Sequence, residues 1–307
     1  MTGVGRASGK VILLGEHAVV YGSPALAAGI ERGARAEAKL AGEGRPSRLT
    51  IGELRVIADA DGADLERAFA ALLGEGAPIP PMEIVAESDL PPGGGLGSSA
   101  AIGVAVARAA MSAADLEPDD AAAIARATAW ERVFHGNPSG IDAAAAALGA
   151  CFRFTRAGGP EPIHAARDLP LVIGSSGTTA STREMVEGLA HLRDRKREMV
   201  DRSITAIGAL VDNARLAIEA GDLVGVGKLM DLNQMLLAGL MLSTERIEEL
   251  CALARGAGAL GAKLTGKGGG GAVIALCADE ETSAEVLLTF RSRGYEGFTT
   301  KVRTATS

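Results

Sequence analysis

The chain has 307 residues, carries 38 acidic against 31 basic side chains for a net charge of −7, and is 47% hydrophobic. That length accommodates two domains of roughly 100–200 residues each, and that apolar content fills their cores, which excludes a disordered or fibrous chain. The acidic balance and an aromatic content of only 3% exclude nucleic acid as the expected partner, since such a surface is basic and offers rings for base stacking.

No basic segment precedes an apolar run at the N-terminus, and the run Val11 to Gly15 is interrupted at once by Glu16 and His17, so no secretory signal is expected. The alanine-rich stretches are broken by Arg108 and Asp142, short of the about 20 apolar residues that a membrane span needs. Cys151, Cys251 and Cys277 are odd in number, far apart and set in apolar sequence, which reads as reduced core thiols. A cytoplasmic protein with no membrane partner is the expectation.

In chain order, Lys10 to Leu14 has strand character, and Pro24 to Lys39 and Met82 to Ala86 are further strand candidates around a short helix from Asp64 to Leu73. The first third therefore reads α+β. Ala100 to Ala114 makes a small-residue helix, and Pro118 starts a second one that carries Trp130, Glu131 and His135. Gly149 to Phe154 returns as a strand. Composition becomes loop-like around Ala157 to Pro160, and Leu169 to Gly174 opens new strand-like sequence, which puts a domain boundary near residues 160 to 168. Thr182 to Ala220 reads as one long helix whose charged stretch, Arg193 to Arg202, is a solvated face. Helices at Leu223 to Met241 and Thr244 to Gly256, then strand, glycine loop and strand over Ala262 to Cys277, and a last helix and strand between Glu280 and Arg303 complete the chain.

The most informative segment is Leu90-Pro91-Pro92-Gly93-Gly94-Gly95-Leu96-Gly97-Ser98-Ser99-Ala100-Ala101. Glycines strip the side chains from a turn that opens directly into a helix. Bare N–H groups and the positive end of the helix dipole then face one concavity, and the hydroxyls of Ser98 and Ser99 can reach a phosphate oxygen or a metal ion. Alone, such a turn also serves merely to bring a strand close to a helix. A second glycine run, Gly261-x-x-x-x-Gly266-Lys267, matches most of a P-loop, but Gly268 stands where Ser or Thr would bind magnesium, so a P-loop NTPase is rejected.

Three further segments accompany the turn: Ser8-Gly9-Lys10-Val11-Ile12-Leu13-Leu14-Gly15-Glu16-His17-Ala18-Val19-Val20-Tyr21-Gly22, His135-Gly136-Asn137-Pro138-Ser139-Gly140-Ile141-Asp142, and Lys263-Leu264-Thr265-Gly266-Lys267-Gly268-Gly269-Gly270-Gly271. The set resembles the GHMP small-molecule kinases and, within that superfamily, the mevalonate kinases. The similarity rests on about fifty residues, yet their order runs across nearly the whole chain, and the co-occurrence makes it specific.

The resemblance implies the two-domain α+β GHMP kinase fold. Residues 1–165 would form a ribosomal S5 domain 2-like N-terminal domain with the ATP phosphate loop, and residues 166–307 a ferredoxin-like α/β C-terminal domain. It implies ATP-dependent phosphorylation of the 5-hydroxyl of (R)-mevalonate in isoprenoid precursor synthesis, with Mg²⁺ as cofactor and a homodimer as the assembly. ATP would be held by Lys10, Ser88, Gly93, Gly94, Gly95, Leu96, Gly97, Ser98 and Ser99.

Mg²⁺ takes few protein oxygens and keeps several waters, and the resemblance names Ser99 and Glu131 for it. By itself Glu131 reads as a surface glutamate paired with Arg132 or Arg126. Asp142 and Lys10 become the catalytic pair: the aspartate accepts or orients the proton of the acceptor hydroxyl, and the lysine keeps that carboxylate ionised. Without the resemblance Asp142 equally fits helix-dipole compensation. Acceptor binding falls to Glu16, His17, Asp142, Thr265 and Gly266, although His17 also fits a buried core histidine. His135 and Asn137 are expected to fix the turn that presents Asp142.

Two departures stand out: Ser8 replaces a usual proline, and Lys267 replaces a usual small residue, placing positive charge near the phosphates. Rival readings are another GHMP kinase such as phosphomevalonate kinase, a non-catalytic ligand sensor on the same fold, and, more remotely, a metal hydrolase using His17 and His135, which lack helical ligand spacing.

Overall fold

The structure, a computed structural model, describes residues 2–91, 93–117 and 119–303. Pro92 of the glycine turn and Pro118, the expected start of the helix carrying Trp130, lie outside the described residues. In chain order the elements are β1 (Thr2–Leu14), β2 (Ala25–Leu40), β3 (Arg48–Ile51), β4 (Leu54–Ile57), α1 (Asp64–Gly74), β5 (Met82–Ser88), α2 (Ser98–Ala113), α3 (Asp120–His135) and α4 (Ile141–Leu148). They continue with β6 (Cys151–Thr155), β7 (Gly159–Pro162), β8 (Leu169–Ser175), α5 (Thr182–Arg195), α6 (Arg197–Ala220), α7 (Leu223–Gly239), α8 (Glu245–Gly256), β9 (Gly261–Thr265), β10 (Ala272–Leu276), α9 (Glu280–Ser292) and β11 (Gly297–Val302). A 3-10 turn covers Ala18–Tyr21.

Packing divides the chain into two compact units. The first comprises Met1–Lys10, Arg32–Pro92 and Gly97–Gly149; the second comprises Val11–Glu31, Gly93–Leu96 and Ala150–Ser307. The expected single boundary between 165 and 166 describes chain order, whereas packing interleaves the two units along the sequence, because β1, β2 and the glycine turn each contribute residues to both.

In the first unit the C-terminal half of β2 pairs antiparallel with β5, β5 pairs parallel with β3, and β3 pairs antiparallel with β4. Helix α2 packs on β5, α3 and α4, and α1 packs on α3. The abundance of small residues has a direct cause here. A Cβ on Gly3 or Gly5 of β1 would stand 2.3 Å from the Ala109 carbonyl oxygen or 2.0 Å from that of Ala105 on α2, so strand and helix approach at backbone distance. Arg108 of α2 donates to the carbonyls of Arg6 (2.7 Å) and Ala147 (2.8 Å), tying this helix to β1 and to the end of α4. Arg126 of α3, 2% exposed, donates to the carbonyls of Leu72, Leu73 and Ala77 and so closes the C-terminus of α1.

In the second unit the N-terminal half of β2 pairs with β6, and β6 with β7. A separate antiparallel sheet has the order β11-β8-β10-β9, with helices α7, α8 and α9 packed on its strands. Its core includes Val172, Leu250, Leu264, Val273, Val286 and Phe290, all fully buried. β9 and β10 are buried at every position, the pattern of strands covered on both faces.

The long helix expected over Thr182 to Ala220 is two helices: Lys196, at φ −137° and ψ 52°, breaks the run between α5 and α6. The charged stretch spans that break, with Arg193 of α5 donating to Asp201 of α6 at 2.6 Å and stacking over the Tyr21 ring at 5.1 Å. The β3–β4 hairpin lies where no element was expected, and β7 begins in the stretch read as loop-like. No helix among the described residues is long and apolar enough to cross a membrane.

Candidate active site

Side chains cap most of the helices of this chain. Asp119, Ser181, Asp222, Thr244 and Asp279 each accept a backbone N–H at the start of α3, α5, α7, α8 and α9. Helix α2 begins differently, at Gly97 with φ 75° and no side-chain cap, so its first N–H groups keep their donor capacity. Along the turn before it Gly93, Gly95 and Gly97 have positive φ while the residues between do not, the alternation that curls successive N–H groups into an anion-binding nest. Ser88, expected beside ATP, uses its hydroxyl on the backbone: it donates to Gly33 O at 3.0 Å and accepts from Leu90 N at 3.2 Å, which sets the chain's entry to the turn.

Within the first unit, the Lys10 side chain runs against Gly97, where a Cβ would stand 2.6 Å from Lys10 Cγ. Its ammonium meets Asp142 Oδ1 at 3.0 Å, the lysine side chain nearly buried at 6% exposure and the carboxylate open at 40%. Asp142 lies in the first turn of α4, which starts at Gly140 without a side-chain cap. Ser99, in the first turn of α2, donates to Glu131 Oε1 of α3 at 2.5 Å and accepts the Trp130 indole N–H at 3.1 Å. Burial pushes the Glu131 carboxyl up to about 7; the Asp142 charge adds to this, while the Ser99 hydroxyl and Lys10 act against it.

His135 brings its ring to Glu131 Oε2 at 3.5 Å, where it was expected to serve the Asp142 turn. Its main-chain carbonyl accepts Asn137 N at 2.7 Å, early in the segment that leads to Asp142.

The second unit holds the other expected residues. Glu16, 2% exposed, is ion-paired with Lys263 in full burial of both side chains and accepts from Asn233 Nδ2 at 3.3 Å. Its carboxylate is thus engaged by the protein itself. The His17 ring N–H donates to Lys267 O at 2.7 Å, and burial lowers its pKa, so the imidazole is neutral with the proton on Nε2. Thr265, 1% exposed, accepts Ile12 N at 2.8 Å and donates back to Ile12 O at 3.2 Å, so its hydroxyl stitches β9 to β1. Gly266 opens the second glycine loop with φ 85°.

In the same unit the two glycine runs come together: a Cβ on Gly95 would lie 3.5 Å from Thr265 O, and one on Gly271 would lie 3.6 Å from Gly94 O. Gly93 faces the Thr179 methyl, and Gly271 N donates to Thr178 O.

Sequence reasoning missed Lys263, Asn233 and Trp130 as members of these networks. A lysine inside the apolar strand Gly261–Thr265 was the available signal, since an ammonium buried in a strand needs an acidic partner.

The model for the GHMP kinases N terminal domain matches residues 64–150, and the model for GHMP kinases C terminal matches residues 214–296. The chain is 34% identical over 293 residues to the mevalonate kinase of Pyrococcus horikoshii, covering 88% of this chain and 87% of that one. It is 35% identical over 288 residues to the mevalonate kinase of Aeropyrum pernix, covering 90% and 88%. Among solved structures, L. major mevalonate kinase in complex with R-mevalonate superposes with a TM-score of 0.85 at 27% identity, covering 100% of this chain and 97% of that one. Methanococcus jannaschii mevalonate kinase does so at 0.82 and 26%, covering 100% and 98%. The α+β expectation and the fold implied by the motifs are therefore met, and the chain belongs to the GHMP kinases, within the mevalonate kinase family.

Proposed function

We propose that this chain transfers the γ-phosphoryl group of ATP to the 5-hydroxyl of (R)-mevalonate, releasing 5-phosphomevalonate and ADP. The observation that carries the assignment of residues is the Lys10–Asp142 ion pair at 3.0 Å, with the lysine stem against the uncapped start of α2.

The N–H groups of Gly93 to Ser99 hold the phosphates as an anion nest leading into a helix N-terminus. Asp142 accepts the proton of the acceptor hydroxyl; the alcohol oxygen forms its bond to the γ-phosphorus as the bond from that phosphorus to the bridging oxygen breaks, and ADP departs with the electron pair. Lys10 keeps the Asp142 carboxylate ionised before the transfer and balances charge on the phosphoryl oxygens during it. His17, neutral and fixed on Lys267 O, with the Thr265–Gly266 turn, shapes the acceptor side. Glu16 acts there through its ion pair with Lys263.

The donor set fits Mg²⁺. Burial, with the Asp142 charge adding to it, pushes the Glu131 carboxyl up to about 7, so a cation beside Glu131 and the Ser99 hydroxyl would favour the carboxylate that burial disfavours. Ser99 and Glu131 would hold the ion, which supplies charge neutralisation of the triphosphate when bound. A homodimer belongs to the same reading, checked by sedimentation, as does a cytoplasmic location, in keeping with the free buried thiols of Cys151, Cys251 and Cys277.

The test is ADP release measured with mevalonate, phosphomevalonate, galactose and homoserine side by side. Turnover with mevalonate alone is expected, and Asp142→Asn should lower it by about 10²–10⁴ with the fold intact. Preference for phosphomevalonate would reassign the acceptor, and full turnover in Asp142→Asn would reduce the aspartate to a helix-end charge.

A further inference from the structure

Trp130 is the chain's one tryptophan and is 2% exposed on α3. Its ring is held from two sides. The Phe134 ring meets it edge-on at 5.7 Å and 61°, and Gly103 of α2 leaves it room, since a Cβ there would stand 3.2 Å from Trp130 Cδ1. Among the described residues the indole N–H donates to the Ser99 hydroxyl, at 3.1 Å.

A hydroxyl has one proton and two lone pairs. The Ser99 proton goes to Glu131 Oε1, one lone pair receives the Trp130 N–H, and a single lone pair is left, in a direction set by the other two bonds. Without the indole donor two lone pairs would stay open, and the Glu131 bond alone would hold the hydroxyl against turning about the Cα–Cβ bond. Trp130 thereby gives the Ser99 oxygen a second anchor and leaves it one open direction before any cation arrives, which is pre-organisation in the ordinary sense of entropy removed in advance.

We propose that Trp130 is a positioning residue for the nucleotide-bound cation, acting only through the Ser99 hydroxyl. The proposal rests on the reading of Ser99 and Glu131 as the cation's protein ligands. It goes beyond that reading in giving the neighbouring indole a task other than filling the core.

The experiment is calorimetric binding of the non-hydrolysable β,γ-imido analogue of ATP, with and without Mg²⁺, to the wild type, Trp130→Phe, Ser99→Ala and the double variant. Trp130→Phe keeps a ring and removes the donor. Loss of one neutral hydrogen bond corresponds to about a 5-fold change, so Trp130→Phe should weaken the Mg²⁺-dependent part of binding about 5-fold and leave metal-free binding unchanged. The double variant should bind like Ser99→Ala alone, because the indole has nothing left to orient. Unchanged Mg²⁺-dependent binding in Trp130→Phe, or additive losses in the double variant, overturns the proposal even where Ser99→Ala weakens binding. Unaltered Mg²⁺ dependence in Ser99→Ala instead removes the metal assignment on which it stands.

The wild type supplies a second measurement that needs no ring replacement. Emission from this lone indole should change when the Mg²⁺-loaded analogue is added and should not respond in Ser99→Ala. An unresponsive wild-type signal overturns the proposal, including where Trp130→Phe fails to fold.

Discussion

Replacing Glu131 by glutamine removes a charge that the first unit disfavours. The Glu131 carboxyl rises from its ordinary 4.5 to about 7, chiefly because it is buried, with the Asp142 charge adding to the shift. A raised acid binds its proton more tightly in the folded state than in the unfolded chain. Between pH 4.5 and 7 the folded protein therefore holds more protons, and stability falls as pH rises through that window. Each tenfold difference in proton affinity is worth about 1.4 kcal/mol, so the ionised carboxylate costs about 3 kcal/mol at pH 8 and about 1 kcal/mol at pH 5. The amide of the Glu131→Gln variant keeps an oxygen to accept the Ser99 hydroxyl and has no titratable proton. Urea unfolding of wild type and Glu131→Gln, without metal or nucleotide, should therefore give a stability difference that shifts by about 2 kcal/mol in favour of the variant between pH 5 and pH 8. Any constant packing or desolvation difference cancels in that comparison. A difference that does not change with pH refutes the argument, and one that moves in favour of the wild type as pH rises reverses its sign.

Lys263→Met should destabilise the protein by about 3–5 kcal/mol, since it strands the fully buried Glu16 carboxylate without its ammonium. Adding Glu16→Gln should recover most of that loss in the same urea assay, and a double variant as unstable as the single one would show that packing, not charge, holds this site. Gly97→Ala should lower turnover more steeply than stability: a backbone at φ 75° costs an alanine about 1 kcal/mol, while the new methyl meets Lys10 Cγ at 2.6 Å and displaces the ammonium from Asp142. Unchanged turnover would mean that the Lys10 stem can move aside freely.

Much of the candidate site was legible because its signals are local. Gly93 to Ser99 reads as a bare turn entering a helix from residue types alone, and the structure has α2 starting at Gly97 as an uncapped helix. Strand and helix cores followed from periodicity, and most ends fell within two residues. The β3–β4 hairpin leaves only a faint mark in the sequence, although Leu49, Ile51, Leu54 and Val56 alternate around Gly52. Its strands are only four residues long, too short for alternation to stand out. The break at Lys196 was invisible for the opposite reason: charged helix-formers on both sides continue the pattern, and a single backbone conformation interrupts it.

From residue types and spacing alone came the phosphate turn, the α+β class, the family likeness and the residues able to carry phosphoryl transfer, since each depends on neighbours along the chain. Pairing was decided only by the folded chain. Nothing local to Glu16 marks it as the partner of a lysine 247 positions away, or Thr265 as a clasp on Ile12. Nor does anything near Trp130 assign its N–H to Ser99. Burial decides such matters, because a charge or donor withdrawn from water must be met by whatever partner packing brings within reach, at any separation in sequence.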